Sequence, residues 1–194
     1  MSLDQGNLTF RICHLPQPMP EDAIEKFAEK AAQSLDQLRD EPQWGWVSAR
    51  HLLERRIDDE TAMLGGYLYL CLRQAERKIP SALLTAECRM VELTQMAEKQ
   101  TDRLNRKERK TIKEQVVERL LPTMPPQLSG NYFTVDPGDG LLYVTATSQK
   151  QLDMFLGLFC KTVGFEPVPL LPEIAAADMF DVDPEAVRPL NLSP

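Results

Sequence analysis

The sequence predicts an α+β fold: a mostly antiparallel sheet with helices packed on one face, two pseudo-symmetric blocks that read βαββ and ββαβ, and a projecting antiparallel helical hairpin. Three observations carry this reading. Period-two apolar segments recur on both sides of the middle of the chain, each block keeps one amphipathic helix beside its strands, and residues 81–127 hold two helical stripes with no strand pattern. The expected organisation is a main domain of residues 1–80 and 128–172, a helical-hairpin subdomain at 81–127, and an acidic, loosely ordered tail at 173–194.

In chain order, residues 8–15 alternate Leu8, Phe10 and Ile12 against Thr9, Arg11 and Cys13, as a half-buried strand does, and Pro16, Pro18 and Pro20 end it. From Glu21 to Arg39, Ile24, Phe27, Ala28, Ala31, Leu35 and Leu38 fall on one helical stripe, with Glu21 and Asp22 in the first turn where the helix dipole favours acids. Residues 44–48 read as a short strand, and Arg50 to Glu60 as a charged connection. Gly66 to Arg73 is apolar on both faces, which predicts a central strand.

After Pro80, a helix is expected from Ser81 to about Gln100. Leu84, Cys88, Val91 and Gln95 share one side and Ala86, Met90, Leu93 and Ala97 another, giving two apolar stripes. Asn105 with Glu108 has the form of an N-terminal cap, opening a helix through Leu121 that carries Ile112, Val116 and Leu120 and stops at Pro122. NYFTVD and LLYVTAT flank Pro137-Gly138-Asp139-Gly140, a hairpin turn. Ser148 with Gln151 caps a helix with the stripe Leu152, Phe155, Leu156 and Phe159, ended by Gly164. The prolines of 167–172 restrict that segment to a sheet edge.

At 43% apolar, 194 residues can bury one good core, or one core and a small satellite. The longest apolar run, Met63 to Leu72, is broken by two glycines and is far shorter than a membrane span, so a soluble, cytoplasmic protein is expected. Cys13, Cys71, Cys88 and Cys160 are scattered without a CxxC pair, and only His14 and His51 join them as soft ligands. That predicts buried free thiols and no metal or cofactor.

No nucleophile motif or glycine-rich phosphate loop is present, so no catalytic residue is assigned and no enzymatic activity is expected. Asp58, Asp59 and Glu60 read as solvated surface, and Asp136 and Asp139 as turn residues. Trp44 and Trp46 read as core before base-stacking platforms. Arg55, Arg56, Arg73, Arg77 and Lys78 form a weaker basic set whose plain reading is pairing with nearby acids.

Charge is segregated. Between Lys99 and Lys113 seven cations stand against Asp102 and Glu108, a local +5 in a chain of net −7, which leaves −12 on the remainder. Such an acidic total repels phosphate, so any nucleic-acid grip must be local. Arg103, Arg106, Lys107, Arg109, Lys110 and Lys113 are the candidate DNA-binding residues.

Several segments together carry a family resemblance: GWV at 45–47, YLYLCLRQAERKIP at 67–80, EQVVERLLP at 114–122, FTVDPGDGLLYVTATSQKQLDMFLGLFCKTVG at 133–164, and PVPLLP at 167–172. In this order they resemble the RdgC family of bacterial recombination-associated proteins. The resemblance implies a non-enzymatic protein of the nucleoid that binds double-stranded DNA through its phosphate backbone without sequence preference, forms a homodimeric ring, and restrains RecA.

The family chain continues beyond the PVPLLP strand, so a shortened member is expected. The family's basic, phenylalanine-containing gate stretch is replaced here by Thr123-Met124-Pro125-Pro126-Gln127. The alternative left open is a protein-interaction or assembly module that keeps the fold without the DNA grip.

Overall fold

Six strands pair in the order β2-β4-β5-β6-β1-β7, with a short β3 joined to β4, in a computed structural model that describes residues 9–171 and 183. In chain order the elements are β1 (Arg11–His14), α1 (Ala23–Glu29), β2 (Gln43–Ser48), α2 (Asp59–Ala62), β3 (Met63–Leu64), β4 (Tyr67–Arg77), α3 (Ser81–Lys99), α4 (Arg106–Leu120), β5 (Pro126–Asp136), β6 (Leu141–Val144), α5 (Gln149–Val163) and β7 (Val168–Pro169). The β5–β6, β6–β1, β1–β7 and β3–β4 pairings are antiparallel. The α+β reading and the order of the two blocks are borne out.

The described chain forms two compact units, one of residues 9–32, 45–73 and 130–171, the other of 33–44 and 74–129. The first is built around an aromatic core. Phe27 of α1, Trp46 of β2, Phe133 of β5 and Phe155 and Phe159 of α5 are all buried. Their rings meet edge-on or tilted, with Phe27–Trp46 centroids at 4.9 Å and Phe133–Phe155 at 5.2 Å, the geometry that ring quadrupoles favour. The polar edge of Trp46 is satisfied, because Nε1 donates to Thr162 Oγ1 at 3.0 Å.

Strand alternation turns the neighbours of these residues the other way. Val47, Ala49, Cys71 and Tyr132 form a second buried cluster there, packed against Leu52 of the 50–57 connection. Burial raises the thiol pKa of Cys71 to about 12, so it stays a protonated, inert packing group.

Local signals explain most boundaries. Ser148 and Gln151 make the expected capping box on α5, and Gly164 closes that helix at φ 95°. Asp136 pairs with Leu141 across the expected turn, where Asp136 Oδ1 accepts from Gly138 N at 2.9 Å. At the sheet edge, β7 pairs with β1, and Leu170 N donates to Ile12 O.

Two expectations are corrected. The helix predicted to reach Arg39 ends at Glu29, because the backbone after it bonds to β2: Trp46 N donates to Lys30 O at 3.1 Å, and Ala32 N to Trp46 O at 2.8 Å. Gly45 permits this approach, since a Cβ there would lie 2.4 Å from Ala32 Cα. Leu35 continues the helical period yet sits in a single 3₁₀ turn, Leu35–Gln37.

The charged connection also contains an unexpected element, the one-turn helix α2. Asp58 caps it by accepting from Thr61 N at 3.0 Å, while Thr61 Oγ1 accepts from Asp58 N. The segment from Glu173 onward, predicted to be loosely held, lies outside the described residues apart from Asp183.

Candidate nucleic-acid interface

The basic cluster is carried by α3, α4 and the turn that joins them. At the end of α3, Gln100 takes a left-handed conformation at φ 51°, and Thr101 N reaches back to Met96 O at 3.0 Å. Asn105 then starts α4. Its Oδ1 accepts from Glu108 N at 2.9 Å, and Glu108 Oε2 accepts from Asn105 N at 2.8 Å, which is the expected capping box.

The two helices share a small core of Leu104, Ile112 and Val116, packed against Leu84, Cys88, Val91, Met96 and Leu120. One of the two predicted stripes of α3 therefore faces α4. The other remains outward, with Met90 and Leu93 at 66% and 50% exposure and Ala86 and Ala97 exposed; Leu83, one heptad before Met90 and outside the predicted stripe, joins them at 37%.

Two ion pairs join the helices, Lys99–Glu108 and Arg119–Glu87, each at 2.6 Å. The hydrogen bond from Lys99 is the main cause, ahead of the Asn105 backbone bond, holding the Glu108 carboxyl below its ordinary pKa. At about 100° per residue, Glu108 and Arg119 lie on one side of the buried Ile112–Val116 stripe. That edge is largely neutralised.

The other edge is not. Arg106, Arg109, Lys110 and Lys113 recur at i, i+3, i+4 and i+7, and all are exposed. Lys110 makes a loose pair with Glu114 at 3.5 Å. Among the described residues, Arg103, Arg106, Lys107, Arg109 and Lys113 make no ion pair.

Arg109 and Lys113 line a groove of about 500 Å³ together with Arg89 and Glu92 of α3 and the apolar side chains Leu84 and Cys88. Of the six predicted residues, four thus share a face. Arg103 precedes the helix, and Lys107 turns about 100° away from Arg106. Sequence reasoning missed Arg89, which lies ten residues upstream of the basic run and reaches the groove because α3 runs back along α4.

Four of the five residues of the weaker basic set are absorbed by structure, and Arg55 stays exposed. Arg56 pairs with Asp58 and Glu60, Lys78 with Glu76, and Arg77 donates to Met124 O. Arg73 is buried and donates to Leu52 O at 3.3 Å, and burial followed by repulsion from Arg55 lowers its pKa. Trp46 is core, as expected, while Trp44 is partly buried.

Among the described residues no group of three or more His, Cys, Asp or Glu could hold a metal ion, and no helix is long and apolar enough to cross a membrane.

A family model described as "RdgC: Putative exonuclease, RdgC" matches residues 7–180. Relatives named recombination-associated protein RdgC include those of Tolumonas auensis, 26% identical over 147 residues, and Aeromonas hydrophila, 28% identical over 131. The matches cover 76% and 67% of this chain but 47% and 42% of those proteins. The chain spans less than half the length of the curated relatives it matches.

Proposed function

The chain belongs to the RdgC family, and on that premise we propose that it is a sequence-nonspecific, double-stranded-DNA-binding protein associated with recombination, gripping the phosphate backbone through its helical hairpin. The observation that carries this reading is the one-sided basic edge of α4, with Arg106, Arg109 and Lys113 free of ion pairs among the described residues, in a chain of net charge −7. Point contacts of this kind hold phosphates and position a duplex without reading its bases. The proposal includes a dimeric state, a functional link to RecA and a place in the bacterial nucleoid, all supported by family membership alone.

The family model's description names an exonuclease, whereas the relatives' names state association with recombination. We propose a non-enzymatic role. The acids that first suggest themselves have structural work, since Asp58 caps α2 and Asp136 closes the β5–β6 turn. Incubating the chain with labelled duplex and Mg²⁺ checks this, because shortening of the strand would overturn it.

DNA binding is tested by fluorescence anisotropy of a labelled duplex across a salt series. The expected result is micromolar or tighter binding that weakens steeply with salt, by a log-log slope of about −0.9 per phosphate neutralised. No binding at low salt would defeat the proposal and favour a second reading, a protein-interaction module. The outward stripe Leu83, Met90 and Leu93 on α3 is the observation that supports that alternative.

A further inference from the structure

The distribution of charge on the hairpin distinguishes its tip from its edge. The tip carries Lys99, already joined to Glu108, together with Arg103, in the turn before α4, and Lys107 in its first turn. The groove edge gathers Arg109 and Lys113 from one helix and Arg89 from the other around a single concavity. A phosphate seated there would meet cations from both sides, and Leu84 and Cys88 supply an apolar wall against which a sugar can lie.

Arg89 is not locked in place. It reaches Glu92 through Nη1 alone, at 3.4 Å, and its side chain is 59% exposed. A monodentate pair this exposed is weak, and a phosphate oxygen can replace the carboxylate. Glu92, only 18% exposed, is an acid in the groove, so it opposes an incoming phosphate both directly and by holding Arg89.

We infer that the groove edge of the hairpin is its phosphate-contacting surface, with Arg89 of α3 as a contact residue beside Arg109 and Lys113, and Glu92 as a built-in brake on affinity. The inference rests on the DNA-binding reading above and specifies where on the hairpin that binding occurs.

The test compares salt slopes for the full chain and four variants by anisotropy on one duplex, with melting curves to verify folding. Arg89→Ala should flatten the slope by about 0.9, and Arg109→Ala/Lys113→Ala by about twice that. Glu92→Gln should tighten binding by about threefold, the scale of one exposed ion pair. Arg103→Ala/Lys107→Ala should have the smallest effect on the slope.

If Arg89→Ala and the Arg109/Lys113 double variant leave the slope unchanged while the Arg103/Lys107 variant flattens it, the edge assignment is wrong and DNA binding stands. Weaker binding by Glu92→Gln would remove the brake. If the unaltered chain does not bind duplex at low salt, the functional reading and this inference fall together.

Discussion

The sheet unit and the helical hairpin solve the problem of holding a shape in different ways. In the first, α5 alone buries six residues, and its two phenylalanines close over Phe27, Trp46 and Phe133. In the second, α3 runs for 19 residues without one fully buried side chain, and the helix pair rests on three buried apolar residues, two ion pairs and a capping box. Apolar burial scales with area removed from water, whereas exposed ion pairs contribute little. The sheet unit therefore carries most of the stability, and the hairpin is free to keep charge on its surface.

Substitutions can break or sharpen this contrast. The largest effect is expected for Trp46→Ala, which empties the centre of the aromatic core and should cost about 3–5 kcal/mol in urea unfolding. A loss under 2 kcal/mol (roughly the lower end for a buried large-to-small change) would mean that the core is less decisive than its geometry indicates.

Next is Ile112→Ala, expected to cost about 2–3 kcal/mol and to be felt locally. Amide exchange should accelerate in α3 and α4 and stay slow in β5 and β6. Equal acceleration in the strands would erase the distinction.

Asn105→Ala should cost about 1 kcal/mol, read as fraying at the start of α4. Smallest is the response to acid. The folded pKa of Glu108 lies below its ordinary value of 4.5, so its contribution is present above that value and is lost as pH falls through the depressed one. Hairpin exchange should rise in that window, and Glu108→Gln should abolish the rise.

The contrast also governs what could be read from the chain. Asn105 with Glu108, Ser148 with Gln151, and the Pro137–Gly140 turn were legible because each is decided by residues within a few positions of one another. The end of α1 was not. Ala31, Leu35 and Leu38 preserve the helical stripe, and what stops the helix is a backbone pairing with Trp46, 15 residues away, through the gap left by Gly45. The cap of α2 was hidden because Asp58 stands in a run of acids that composition assigns to solvent.

At the candidate site, the run of Lys and Arg was plain, and so were the two stripes of α3. The division of α4 into a paired and an unpaired edge follows from the partners α3 brings to one side, Lys99 to Glu108 and Glu87 to Arg119. Arg89 became part of the site only through that antiparallel return.

The margins of the sheet have a consequence for how copies of the chain can meet. Along β2, Trp46 N is taken by Lys30 O and Ser48 N by Glu54 O, and at the other margin β7 is two residues long and includes Pro169. Among the described residues, each margin thus lacks the row of open amide donors that templates a foreign strand, the usual route to cross-β aggregation. Concentrated solutions of the folded chain should then resist fibril formation through its sheet margins.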